Sequence, residues 1–115
     1  MNESVNPARR LIWANLDPTL GVEIQKRRLV VVVSNDAINR YSQLVIVVPI
    51  TTNLNRFSPS HVLLPKGEAD LSQDSKVLTE QIRALDKQRL VSKIGTISQQ
   101  FLLLIEKAIL NSLDM

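Results

Sequence analysis

Two uninterrupted aliphatic runs, Leu29–Val33 and Leu44–Ile50, constrain this chain more than any other feature. The first is almost wholly valine, and β-branched side chains favour the extended pleat over the helix. Neither run alternates with polar residues, so each reads as a strand covered on both faces. Both are far shorter than the roughly 20 apolar residues that a membrane-spanning helix needs. Asn35-Asp36 marks a turn between them. Any fold must therefore bury two adjacent strands on both sides.

The remaining segments fit around that pair. Leu11–Leu16 reads as a first strand. Asp17-Pro18-Thr19 ends it, because proline removes a donor and fixes φ, and Gly21 supports a long loop to about Lys26. Thr52–Ser60 is a polar, proline-containing loop. His61–Leu64 is a short strand closed by Pro65-Lys66-Gly67, and Glu68–Ser75 is turn-like. The pattern predicts a strand over Lys76–Ile82, a connection over Leu85–Leu90 and a short strand over Lys93–Thr96. The period then changes. Phe101, Leu102, Ile105, Ala108, Ile109 and Leu113 follow helical spacing, Ser98 is placed to cap, and Ile97 to staple onto Leu102. Leu103 and Leu110 widen the apolar stripe beyond what one small barrel needs, which points to self-association.

Several short strands closed by one helix predict a mainly β fold with α, a small, closed or partly closed β-barrel plus a C-terminal helix. With 115 residues the chain is long enough for a single core. Residues 1–8 read as a flexible tail and 9–115 as the single domain.

Composition narrows the chemistry. Aromatics are only 3%, so the core is aliphatic and a stacked aromatic platform for nucleic acid is disfavoured. Lys and Arg number 14 against 11 acids, a net charge of +3 that suits a polyanionic partner without requiring one. With no cysteine there is no disulfide, thiolate metal site or cysteine nucleophile. His61 is the single histidine, so acid–base cleavage of RNA by two histidines is excluded, and His61 itself is left out of the candidate site. Gly67 and Gly95 form no phosphate loop, and Asp70 and Asp74 read as turn formers rather than metal ligands. No cofactor and no metal is expected. The absence of an apolar signal region or membrane span predicts a cytoplasmic protein.

Three groups of residues could carry chemistry. Glu23 precedes Arg28 by five residues at the loop–strand junction. The plain reading makes Glu23 a solvated loop acid and Arg28 part of the basic cluster Lys26-Arg27-Arg28. The functional reading needs the loop folded over the barrel, where a carboxylate accepts a proton and a guanidinium forks onto phosphate. Thr51 and Thr52 end the second aliphatic run. Their hydroxyls either cap a turn or donate to a phosphate oxygen. Glu80, Gln81 and Arg83 sit at a strand end, as an exposed edge or as hydrogen-bonding partners of nucleic acid.

In order and spacing, LIWANLDPTLGVEIQKRR, LVVVVSND, VVPITTN, VLTEQIRALDKQRL and the closing IGTIS plus helix resemble the MazF/PemK family of toxin endoribonucleases, from about Arg9 to Leu113. The resemblance implies a small SH3-like, PemK-type barrel and an active centre of Glu23, Arg28 and Thr51. Glu23 would be the base, Arg28 would stabilise the transition state, and Thr51 would donate to a phosphate oxygen. Arg27, Thr52, Asn53, Glu80, Gln81 and Arg83 would contact RNA. It further implies sequence-specific, metal-independent cleavage of single-stranded RNA through the ribose 2′-hydroxyl. A homodimer and a cognate antitoxin, which together with the toxin can bind operator DNA, are implied as well. The chain departs from the family pattern at Leu11, where a glycine is common, and at Leu29, where a proline is common. The alternative implied by the same fold is a non-catalytic barrel that poisons DNA gyrase or only binds antitoxin and operator DNA.

Overall fold

In the computed structural model, residues 10–16 and 27–114 are described. The two aliphatic runs become β2 (Arg27–Val32) and β3 (Leu44–Thr51), antiparallel neighbours with β1 (Arg10–Asn15) on the far side of β2. The later strands are β4 (His61–Leu64), β5 (Ser75–Leu78), β6 (Arg83–Asp86) and β7 (Leu90–Thr96). The sheet runs β4-β5-β3-β2-β1-β7, with β6 pairing the first half of β3. The arrangement is barrel-like, with no ladder between the consecutive strands β6 and β7 among the described residues.

Both faces of the central strands are covered, as the unbroken apolar runs require. On one face Leu11, Val31, Val48 and Ile50 pack with Leu64 and Val77 and with the helix α2 (Gln99–Ser112). On the other face Ile12, Ala14, Val30, Val32, Val45, Val47 and Leu85 form a second cluster. Helix α2 contributes Leu102, Ile105 and Ala108 to the first. Each buried Leu or Ile stabilises by about 1.5–3 kcal/mol over exposure. Ile97, before the helix, joins the same cluster as Leu102, as a staple should. No helix among the described residues is long and apolar enough to cross a membrane.

Four expectations are corrected. The strand expected over Lys76–Ile82 is β5 only to Leu78, and a 3₁₀ turn, Thr79–Gln81, interrupts it. The reason is register. Val77 pairs with Ile50 and Arg83 with Val47, so β3 covers three residue steps while its partner covers six. The surplus is taken up in the turn, which lets the sheet fold over. The expected connection Leu85–Leu90 takes in the last two residues of β6; the rest is a further 3₁₀ turn, Lys87–Arg89, capped by the Asp86 carboxylate accepting the Gln88 N–H at 2.8 Å, and β7 begins at Leu90. The last strand is longer than Lys93–Thr96 because two bulges, at Val91 and Ile94, keep it paired with β1. Asn35-Asp36 does not simply turn: Asn35 caps a short helix α1 (Asp36–Tyr41), accepting the Ile38 N–H at 2.9 Å.

The cap of α2 also differs. Ser98 occupies the N-cap position without a side-chain hydrogen bond. Its own N–H instead donates to the Glu68 carboxylate at 2.6 Å, tying the helix start to the loop before β5. That loop is unusual. Ala69 and Asp70 both have left-handed backbones, with φ of 51° and 64°, a region costly for side chains other than glycine. Gly95 of β7 lies directly beneath: a Cβ there would come within 2.2 Å of the Ala69 carbonyl oxygen. Glycine permits the approach that seats this loop against β7.

Candidate active site

The open end of the sheet holds a cleft of about 590 Å³. Its walls come from four places. Trp13 and Ile94 stand on β1 and β7, and Arg27, Arg28 and Leu29 open β2. Ile50, Thr51 and Thr52 come from the end of β3. Asp70, Leu71, Ser72 and Gln73 come from the strained loop, and Ser75 opens β5. The lining joins apolar side chains to the polar Arg27, Arg28, Thr51, Thr52 and Asp70.

Strand pairing explains why Arg28 and Thr51 meet there. Val30 pairs with Pro49 across β2 and β3. The ladder ends at that pair; its register continued by two residues would set Arg28 level with Thr51, and both residues line the cleft. Residues directly opposite in an antiparallel ladder share one face and lie close. Arg28 also pairs with Ala14 of β1, and Thr51 with Lys76 of β5. Arg28 is exposed and Thr51 half-buried, so a ligand can reach both.

Thr51 Oγ1 accepts the Asn53 backbone N–H at 3.1 Å. This is the turn-capping role open to any strand-end threonine. It uses an oxygen lone pair and leaves the hydroxyl proton available for donation. Asn53 is exposed and its Oδ1 accepts the Asn55 N–H at 3.0 Å, continuing the same turn.

The other sequence candidates divide. Glu23 lies outside the described residues. Arg27 and Thr52 line the cleft with Arg28 and Thr51. Glu80, Gln81 and Arg83 do not line it; they lie on and just after the 3₁₀ turn between β5 and β6. Glu80 is held by Ser60, whose hydroxyl donates at 3.0 Å, and by His61 Nε2 at 3.3 Å. His61 Nδ1 accepts the Ser58 N–H at 3.2 Å, which turns Nε2 toward Glu80. Partial burial raises the Glu80 pKa, but hydrogen bonds from its own backbone, Ser60 and His61 outweigh it and hold the carboxyl below its ordinary value. The lone histidine thus serves as an anchor for Glu80, a role for which its sequence carried no signal.

Sequence reasoning missed Trp13, Ile94 and the 70–75 loop as cleft walls. Trp13 was visible only as one residue of a strand, and Ile94 is exposed to the cleft side by a bulge. Asp74 is the turn former expected, accepting the Lys66 N–H at 2.8 Å, whereas Asp70 faces the cleft.

Comparison with known proteins gives the family. Residues 8–113 match the model of the "PemK-like, MazF-like toxin of type II toxin-antitoxin system". Endoribonuclease MazF of Staphylococcus epidermidis is 40% identical over 97 residues, covering 84% of this chain and 81% of that protein. The crystal structure of MazF from Deinococcus radiodurans (Form-I) superposes with a TM-score of 0.78 at 28% identity, over 96% of this chain and 98% of that one. A MazE–MazF structure from the same organism (Form-II) gives 0.81 at 26% identity, over 96% and 97%. With its barrel, helix and Arg28–Thr51 cleft, this chain belongs to the PemK-like, MazF-like toxin family of type II toxin–antitoxin systems.

Proposed function

We propose that the protein is a sequence-specific, metal-independent endoribonuclease that cuts single-stranded RNA in the Arg28–Thr51 cleft. The observation that carries this reading is the meeting of Arg27, Arg28, Thr51 and Thr52 around one cleft at the end of β2 and β3. RNA brings its own nucleophile, the ribose 2′-hydroxyl. The enzyme needs to align that oxygen with the phosphorus, accept its proton and stabilise the charge that develops on the phosphate. Arg28 offers a forked, permanently charged donor for the phosphate oxygens. Thr51 offers the hydroxyl proton that its Asn53 contact leaves free. Glu23, which precedes β2 in the sequence, is the base in this reading. The products are a 2′,3′-cyclic phosphate and a 5′-hydroxyl end.

Arg27, Thr52 and Asn53 extend the cleft along the RNA. Glu80, Gln81 and Arg83 would contact the strand farther out, with Glu80 oriented by Ser60 and His61. Support for regulation by an antitoxin comes from the MazE–MazF assembly of the Deinococcus radiodurans relative. The exposed Leu103, Leu104 and Leu110 on α2, with Leu113 just after it, leave an apolar surface for a homodimer. The test is incubation of the purified protein with a long RNA in EDTA, followed by mapping of the new ends. Cuts at a short recurring sequence, lost in Arg28→Ala, are expected. Absence of cutting by the parent, or equal cutting by Arg28→Ala, would contradict the reading.

A further inference from the structure

Lys76 is the one charged side chain among the buried described residues, 4% exposed. Lysine is almost never fully buried unless paired, yet among the described residues no carboxylate is in ion-pair contact with it. It lies on β5 opposite Thr51 of β3 and Leu63 of β4. Thr51 lines the cleft with Arg28, so Lys76 is the cross-strand partner of a cleft residue. The Lys76 ammonium donates to the backbone carbonyl of Arg56, within the Thr52–Ser60 loop that leaves the cleft at Thr51.

We propose that Lys76 is a positioning residue: its buried side chain, tethered to the Arg56 carbonyl, fixes the Thr52–Ser60 loop and places beside Thr51 a positive charge that no described carboxylate pairs. This rests on the RNA-cleaving reading of the cleft. A buried charge without a counter-charge is costly to the fold. A phosphodiester held by Arg28 and Thr51 brings a negative charge close to Lys76, through an interior where screening by water is weak. Lys76 touches neither the cleft nor the reacting atoms, so it acts through the loop and through its field.

Lys76→Met keeps an unbranched side chain and removes charge and donor together. A purely structural lysine predicts unchanged kinetics. The positioning role predicts a KM for a defined RNA raised about tenfold, the scale of one charge-assisted contact, with kcat within about threefold. It also predicts faster amide hydrogen exchange in the 53–59 segment and a melting temperature no lower than the parent's. Lys76→Arg, which keeps charge and donor, should hold KM within about threefold of the parent's. The proposal is overturned if Lys76→Met leaves either KM or loop exchange unchanged, if it abolishes cooperative melting, or if a stably folded Lys76→Arg behaves like Lys76→Met. Should the parent cut no RNA, the reading of the cleft fails, while loop exchange still decides the tether.

Discussion

Thr51 Oγ1 accepts the backbone N–H of Asn53 at 3.1 Å and keeps its own proton to give. The cap and the proposed catalytic donor are thus one hydroxyl, which substitutions can separate. Thr51→Ser retains both functions and should keep cleavage within about tenfold, whereas Thr51→Val should lose about 10²-fold in kcat, the scale for removal of one transition-state donor. Because the lost cap is a half-exposed hydrogen bond, Thr51→Val should lower stability by only about 1 kcal/mol. Rate measurements paired with thermal melts check both parts.

Arg28 is exposed at the head of β2, so replacing it should spare the fold. Arg28→Lys keeps the charge but not the planar fork. A loss of about 10²-fold in kcat/KM is expected for it, and a further loss for Arg28→Ala. Arg27→Ala, one residue away, should weaken RNA binding and reduce its salt dependence while leaving kcat close to the parent's. Equal effects of the two arginines on kcat would show that the register has been misassigned.

Gly95 carries the seating of the strained loop on β7. Gly95→Ala puts a methyl group against the Ala69 carbonyl, and backbone cannot swing aside as a side chain can. Destabilisation of about 3 kcal/mol is expected. Cleavage should fall as well, because Asp70 and its neighbours wall the cleft. A melting temperature equal to the parent's would contradict this account of the close approach.

Much of the fold was legible in the sequence, and the failures share a cause. Leu29–Val33 and Leu44–Ile50 declared buried strands because nothing in them alternates. Phe101–Leu113 declared a helix by its spacing. Arg83–Asp86 did not declare a strand, because its pairing with β3 depends on three surplus residues taken up around Thr79–Gln81. Bulges and register shifts are decided by the partner strand, which local patterning does not contain. The same holds for the site. Arg28 and Thr51 were found as strand ends, but their cross-strand alignment is a tertiary fact, as is the seat of Trp13 beside them.

Acid should loosen Glu80. Its folded pKa lies below the ordinary value, so its contribution to stability is fully present above the unfolded pKa and is lost as pH falls through the folded one. The Ser60–Glu80–His61 link should therefore weaken only below the normal carboxylate range. Glu80→Gln, which carries no titrating group there, should flatten the acid limb of a plot of melting temperature against pH. An unaltered limb would mean that Glu80 adds nothing to acid stability.

In the proposed reaction the RNA's own 2′-hydroxyl is the nucleophile in the Arg28–Thr51 cleft. It is tested most directly with an RNA oligonucleotide containing a mapped cleavage site, made with and without a single 2′-deoxy sugar on the 5′ side of the scissile phosphate. The account predicts that the all-ribose strand is cut in EDTA to a 2′,3′-cyclic phosphate and a 5′-hydroxyl, and that the substituted strand is not cut there. Cleavage of the substituted strand at the same phosphate would contradict it.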